Sequence, residues 1–320
     1  MSNSKVKVIF ICGPSRSGST LLDRILGQAE GVFSLGEMHH IWKRGFIENQ
    51  LCGCGEPFRS CRFWQKVVHE TSKLMDSFDP SAALELQGSV SRFRHLPQLL
   101  FPYLRSRRFD QELARYVSIL EALYKSIYRV SGCNFLVDSS KLAPHGLILN
   151  RIPGIELYAV HIVRDSRAVA FSFGRKKHRP EISSEKKLMP RKGPIWASIL
   201  WDFSNLVTCL AGLRIRRYKV VNYESFVQDP KGIIQGLVNW IGSEMALPRF
   251  CGASSVYLGV DHTVSGNPMR FFHDKPITIR NDMEWRHKMP LLSRSMAVLL
   301  TAPMKAYLSR IERRAHGLND

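Results

Sequence analysis

The chain has 320 residues, with 46 Lys and Arg against 27 Asp and Glu, for a formal charge of +19 at neutral pH. Its length accommodates one large α/β domain with insertions and an ample core, and its seven scattered cysteines, an odd number, fit a reducing compartment better than a disulfide framework. The charge calls for an anionic partner, whether nucleotide, nucleic acid, acidic glycan or phospholipid surface, and does not choose among them.

The first apolar run begins within a few residues of Met1, so no cleavable signal segment is expected. The later apolar stretch from Ile195 to Leu213 is interrupted by Asp202 and Asn205, so no transmembrane segment is expected. With no N-x-[ST] sequon present, a cytoplasmic location is expected.

Val6 to Cys12 is a β-branched apolar run that breaks into Gly13-Pro14-Ser15-Arg16-Ser17-Gly18-Ser19-Thr20 and resumes with leucines at helical spacing. That pattern predicts a buried strand, a tight loop and a helix. Gly13 and Gly18 let the backbone turn so that successive N–H groups point inward, and the following helix adds the positive end of its dipole, so an anion is expected there. The outline is that of the nucleotide-triphosphate loop G-x-x-x-x-G-K-[ST], with Ser19 where the lysine belongs. A nucleotide hydrolase needs that lysine and a magnesium ion. This loop offers Arg16 instead, with Ser17, Ser19 and Thr20, and a guanidinium suits a planar group of three oxygens in transfer.

These residues resemble the 5′-phosphosulfate loop of the sulfotransferases, which bind 3′-phosphoadenosine 5′-phosphosulfate (PAPS) and transfer its sulfuryl group without a metal. The resemblance implies a P-loop-like sulfotransferase fold, with Arg16, Ser17, Gly18, Ser19 and Thr20 against the cofactor.

Gly31 to Gly36 reads as a short strand that delivers Glu37 to its carboxyl end, where open parallel sheets place their ligand crevice. Tyrosylprotein sulfotransferases and many bacterial ones carry a Gly-Glu pair here, which implies Glu37 as the base that deprotonates the acceptor. His39, His40 and His145 are the candidates should the role lie elsewhere. Cys52, Cys54 and Cys61 follow in C-x-C-x6-C spacing, with Phe63 and Trp64 after them. That spacing is no standard finger and favours packing or a local thiol pair over a metal, for which His39, His40 or His69 would supply the fourth ligand.

Residues from about 62 to 131 read as a largely helical insertion, whose best helix carries Leu113, Tyr116, Val117, Leu120, Leu123, Tyr124 and Ile127 on one face. Arg92, Arg94, His95, Arg105, Arg107 and Arg108 form a basic cluster broken by Pro97 and Pro102, a solvated face or a contact for an acidic surface.

Phe135 to Asp138 reads as a further strand, and Ser139-Ser140-Lys141 lies after it at the same crevice, where either the ammonium of Lys141 or the two hydroxyls would meet charge on a leaving oxygen. Leu157 to Val163 ends at Arg164, and Asp165 or Ser166 caps a helix carrying Ser172. In sulfotransferases an Arg and a Ser at this spacing, in an R-D-x-R-A context, grip the 3′-phosphate of PAPS, which implies that role for Arg164 and Ser172. The charged, proline-bearing segment from Arg175 to Lys192 reads as a loop over the site. Tyr218 to Glu224 reads as a strand, followed by Asp229-Pro230 opening a helix through Trp240; the resemblance places Tyr223 near the nucleotide. The stretch from His262 to Arg270 is too rich in glycine, proline and asparagine for regular structure. Related bacterial sequences carry a similar segment that closes over the cofactor, which implies contacts from Ser265 and Arg270. The final stretch from Pro290 to Arg314 reads as a basic helix on the sheet.

The expectation is an α/β chain with a central, mainly parallel sheet flanked by helices, one domain over residues 1–320 with the helical insertion. By the resemblance its activity is in-line transfer of a sulfuryl group from PAPS to an acceptor hydroxyl, leaving adenosine 3′,5′-bisphosphate (PAP), on a small molecule, glycan, lipid or peptide. A P-loop nucleotide kinase is the alternative enzyme, and a basic nucleic-acid-binding protein the alternative of another class. Ser19 counts against the first, and no aromatic-basic RNA motif or helix-turn-helix supports the second.

Overall fold

A computed structural model describes residues 5–176, 191–242 and 245–315. In chain order these form β1 (Val6–Cys12), α1 (Ser19–Leu26), β2 (Val32–Gly36), α2 (Arg62–Leu74), α3 (Pro80–Val90), α4 (Leu96–Leu100), α5 (Arg107–Ser131), β3 (Phe135–Lys141), α6 (Ala143–Leu149) and β4 (Ile155–Val163). Then come α7 (Ser166–Gly174), α8 (Pro194–Gly212), β5 (Tyr218–Asn222), α9 (Tyr223–Gln228), α10 (Pro230–Ile241), β6 (Ser255–Leu258), β7 (Lys275–Thr278), α11 (Trp285–Lys288) and α12 (Leu291–Ala315).

The first five strands make one sheet in the order β2-β3-β1-β4-β5, every neighbouring pair parallel. β1 is central because its side chains are apolar on both faces: Val8, Phe10 and Cys12 enter one core, Ile9 and Ile11 the other. A strand buried on both sides must be covered by helices, and parallel pairing then gathers all the carboxyl ends at one edge. The Gly13 loop, Glu37, Lys141 and Arg164 all emerge from that edge.

The helical insertion forms α2 to α5 as expected, with Leu113, Tyr116, Leu120, Leu123, Tyr124 and Ile127 of α5 buried in the first core. Ser106 caps α5 by accepting from the Phe109 N–H, and Gly132 at φ 64° ends it. Arg92, Arg94, Arg107 and Arg108 lie on the exposed side.

Several boundaries differ from the sequence reading. β3 runs on through Ser139 and Ser140 to Lys141, because buried hydrogen bonds replace apolar contacts there: the Ser139 hydroxyl donates to Asp23, and the Ser140 hydroxyl to Asp138. Tyr223 starts a helix instead of ending a strand, capped by Asn222, whose side chain accepts from Ser225 N. The region after residue 250 contains an antiparallel pair, β6 with β7, and its long C-terminal helix α12 packs on α7 and α8 and reaches the sheet at β5. α8 spans 19 residues and has a mean hydropathy of 1.2 over a window of 18, long and apolar enough to cross a membrane by length and composition, and 44% of that window is buried within the protein. The charged segment read as a loop over the site falls largely on residues 177–190, outside the described residues.

One buried cation ties the carboxyl-terminal third to the first helix. Arg24 is fully buried on α1; its Nε donates to Asp261 at 2.8 Å, and its terminal nitrogens donate to the carbonyls of Met269 (2.7 Å), Phe272 and Gly259 (2.6 Å). Arg24→Ala strands a buried carboxylate and three carbonyls, so it is expected to cost about 3–5 kcal/mol in urea unfolding. A cost under about 1 kcal/mol, the scale of an exposed pair, would show that the segment is held by other contacts.

Candidate active site

The loop after β1 is held by backbone conformations that few side chains adopt. Gly13 has φ 119°, Arg16 φ 72° and Gly18 φ 89°. A Cβ at Gly13 would meet the Ile162 carbonyl oxygen at 2.6 Å, and one at Gly18 the Tyr223 ring at 2.4 Å, so glycine is required at both by space as well as by torsion. Gly18 is the N-cap of α1, whose first turn offers its N–H groups with no side-chain cap. Arg16, Gly18, Ser19 and Thr20 line a cleft of about 680 Å³. Ser17 does not line it; its hydroxyl is buried without a hydrogen-bond partner among the described residues.

Glu37 follows β2, and its N–H donates to the Val264 carbonyl at 2.7 Å. Its carboxylate accepts from Lys141 Nζ, and His40 Nε2 lies 3.6 Å from its other oxygen. Burial alone would raise the Glu37 pKa, but the charges of Lys141, His40 and Arg44 outweigh it and hold the group below its ordinary 4.5. Lys141 sits at the last position of β3 with φ 69°, an uncommon conformation for a side-chain-bearing residue.

Ser15, Glu37, His40 and Lys141 line both the large cleft and a second pocket of about 170 Å³. The second pocket continues along Phe93, Leu142, Ala143 and Val207. The ion pair therefore stands at the junction of two cavities.

On the far side of the large cleft, Arg164 Nη1 donates to the Arg16 carbonyl at 3.1 Å and its guanidinium lies 4.6 Å over the Tyr223 ring. Asp165 caps α7 by accepting from Arg167 N, which places Ser172 of that helix on the same wall. Asp282 lies 3.8 Å from Arg164 and 3.0 Å from Arg175. Burial lowers the pKa of the Arg16 guanidinium, opposed by the charge of Glu37.

The fold thus brings together Arg16, Gly18, Ser19, Thr20, Glu37, Lys141, Arg164, Ser172 and Tyr223 in one cleft. Ser265 and Arg270 stand apart from it. The Ser265 hydroxyl accepts from Arg44, and Arg270 is buried and donates to the carbonyls of Thr263 (2.8 Å) and Leu51 (2.7 Å). A guanidinium removed from water must be matched by acceptors, and the nearest acceptors are backbone, so Arg270 shapes its segment from behind. His145 is buried against Asp138 at 3.1 Å, and His39 is half-buried beside Gln87; of these histidines only His40 lines the cleft. The histidine brought to Cys52, Cys54 and Cys61 is His262, not His39, His40 or His69. Arg44 and Asp282 went unread; the signal for Arg44 was its position two helical turns after Glu37.

Residues 8–246 match the model of the Sulfotransferase family, and the chain belongs to that family. Family and fold together support a sulfotransferase enzyme. Among solved structures, the chain is similar to the sulfotransferase domain from the curacin biosynthetic pathway, at 18% identity over 94% of this chain and 98% of that one, with a TM-score of 0.50. A weaker likeness is to sulfotransferase STF1 from Mycobacterium tuberculosis, at 12% identity over 74% of this chain and 68% of that one, with a TM-score of 0.38. The first of these bears on the fold. No curated protein matches the chain.

Gly18→Ala forces a Cβ into the Tyr223 ring at a positive φ. It is expected to destabilise the chain by about 1–3 kcal/mol in urea unfolding. Gly174→Ala is the control, since nothing lies within 4 Å of its added carbon; equal behaviour of the two would remove the steric argument.

Proposed function

We propose that this chain transfers a sulfuryl group from PAPS to an acceptor hydroxyl, with Glu37 as general base. The reading rests on one observation: a carboxylate–ammonium pair, Glu37 with Lys141, stands where a cation-lined cleft meets a second pocket walled by Phe93, Leu142, Ala143 and Val207. Two features fit the donor to the larger cleft: its volume suits a nucleotide, and Arg16, Arg164 and Lys141 supply charge for its anionic groups. Sulfotransferases generally use PAPS, which when bound supplies the sulfuryl group and departs as PAP.

Arg16, Gly18, Ser19 and Thr20 would hold the 5′ end, with the backbone of Ser17 between them. Arg164 and Ser172 would hold the 3′-phosphate, and Tyr223 would lie against the nucleotide. The acceptor enters the smaller pocket, where Glu37 takes the hydroxyl proton onto a carboxylate oxygen as the oxygen attacks. Lys141 and Arg16 neutralise charge that grows on the leaving side, the term expected to dominate the acceleration. No step needs a metal ion.

The Glu37–Lys141 pair gives this chemistry a pH signature. With Lys141 fully engaged, Glu37 is held below 4.5, so it is ionised but a weak base. An anion in the large cleft shares Lys141, which weakens its hold and raises the Glu37 pKa toward the operating pH. The acid limb of kcat/KM, which reports the free enzyme, is expected below that of kcat, which reports the complex. Coincident limbs would mean that Lys141 does not leave Glu37 on binding.

Glu37→Gln is expected to lower kcat by about 10²–10⁴-fold while PAP affinity holds or tightens, because Lys141 is released. Unchanged turnover would move the role to His40. PAP at about 100 times its dissociation constant should raise the unfolding free energy by about 2.7 kcal/mol, and ATP with magnesium should not. The reverse result would favour a kinase.

A further inference from the structure

We propose that Cys52, Cys54, Cys61 and His262 bind one zinc ion, a structural site separate from the reaction. Their ligand atoms lie within 4.8 Å of one another. Cys54 Sγ is 3.8 Å from Cys61 Sγ, and His262 Nδ1 is 3.2 Å from Cys61 Sγ and 3.8 Å from Cys52 Sγ. A tetrahedral zinc with Zn–S near 2.3 Å and Zn–N near 2.0 Å requires edges of about 3.8 Å between sulfurs and about 3.6 Å from sulfur to nitrogen. The measured edges scatter around those lengths.

The ligands are held before any ion arrives. Cys52 to Gly55 is a tight turn closed by Gly55 N donating to the Cys52 carbonyl at 2.9 Å, with Gly55 at φ 91°. Gly53 packs so closely on the other segment that a Cβ would meet Thr263 Oγ1 at 2.4 Å, and its N–H donates to the Thr263 carbonyl at 3.0 Å. Cys61 is the N-cap of α2. The His262 ring stacks on Phe63 with centroids 5.1 Å apart and planes 11° apart, and its carbonyl accepts from Trp64 Nε1 at 3.0 Å.

The donor set selects the metal. Three soft sulfurs and an imidazole suit zinc and repel magnesium or calcium, which take oxygen. All four positions come from the protein, so no coordination site is left for water or substrate, the mark of a structural ion. A Cys54–Cys61 disulfide would use two of the sulfurs and leave Cys52 and His262 converging on nothing.

The ion would act as a staple near the site. Two residues after His262, Val264 lies beside Gly36: its N–H donates to the Leu35 carbonyl at 2.7 Å, and its carbonyl accepts from Glu37 N at 2.7 Å. Zinc would therefore fasten the Cys52–Cys61 segment to the short extended stretch that fixes the Glu37 backbone.

The test begins with untagged wild-type protein dialysed against zinc and then against metal-free buffer, and metal content is measured by mass spectrometry. About one zinc per chain is expected, released when a mercurial titrates the thiols. Substitution by cobalt should give the ligand-field and charge-transfer bands of a tetrahedral thiolate site. Cys54→Ser should lose the metal and Cys251→Ser should keep it. Removing zinc from the wild-type chain should speed hydrogen exchange at the Val264 and Glu37 amides by at least about tenfold, a readout independent of turnover. Protein that retains no zinc, or that yields a Cys54–Cys61 disulfide on non-reducing peptide mapping, overturns the proposal. Because metal release and cobalt spectra are read on the wild-type chain, a Cys54→Ser variant that fails to fold does not shelter it.

Discussion

Everything at the reactive edge depends on the parallel pairing of β1 with β3 on one side and β4 on the other. Cys12 sits opposite Lys141 in one register and His161 in the other, and Gly36 sits opposite Asp138. Those registers bring Glu37 at the end of β2 to the ammonium of Lys141 at the end of β3. The pair is stable there because each charge offsets the desolvation of the other; removing one partner of such a buried pair typically leaves about 3–5 kcal/mol uncompensated. Lys141 holds a positive φ to make this contact, and the Gly13 N–H donates to its carbonyl at 3.4 Å. The strained residue thus connects the phosphate-type loop with the carboxylate.

Two consecutive residues of α1 fasten this edge to the rest of the chain in opposite directions. Asp23 accepts from Ser34 of β2 and Ser139 of β3, both at 2.7 Å, and so holds the helix to the sheet below the loop. Burial raises its pKa to about 7 in spite of those two hydrogen bonds. A carboxyl whose folded pKa lies above its unfolded value of 3.8 favours folding most when protonated, so its contribution declines as pH rises from about 4 to about 7. Arg24 faces the other way and gathers the Gly259 to Phe272 segment. An eight-residue helix with two buried charges is costly as a helix alone; as a clamp between sheet and carboxyl-terminal segment, each charge is matched by fixed partners.

Much of this was legible in the sequence wherever local pattern and chemistry coincide. The Val6–Thr20 stretch announces strand, loop and helix by composition alone, and Arg164 with Ser172 follows from a strand end and a capped helix. The sequence puts Lys141 at the sheet edge but after the strand, because Ser139 and Ser140 look like turn residues until their buried partners are known. An arginine in a glycine- and asparagine-rich loop near an anion site, such as Arg270, reads as a ligand contact, and only tertiary structure shows its carbonyl partners at Leu51 and Thr263. His262 could not be joined to the cysteines by spacing, since 201 positions separate it from Cys61. Arg24 sits on a leucine-rich helix face where no periodicity marks a buried cation.

The two cavities that meet at Glu37 differ in electrostatic character, and this difference assigns direction to the chemistry. The larger holds Arg16, Arg44, Lys141, Arg164, Lys192 and Arg280 against two carboxylates, Glu37 and Asp282. The smaller shares Glu37, Lys141 and His40 at its mouth and is otherwise walled by uncharged side chains, with Phe93 braced edge-on against Phe203 at 5.2 Å. Negative charge that develops during group transfer is therefore best stabilised on the larger side, and a neutral hydroxyl is best accommodated on the smaller. Glu37 lies between them, its pKa lowered by Lys141, His40 and Arg44 against the effect of burial. The chain's large positive charge thus has a local counterpart, in that its cations outnumber its carboxylates in the cleft where an anionic donor would bind.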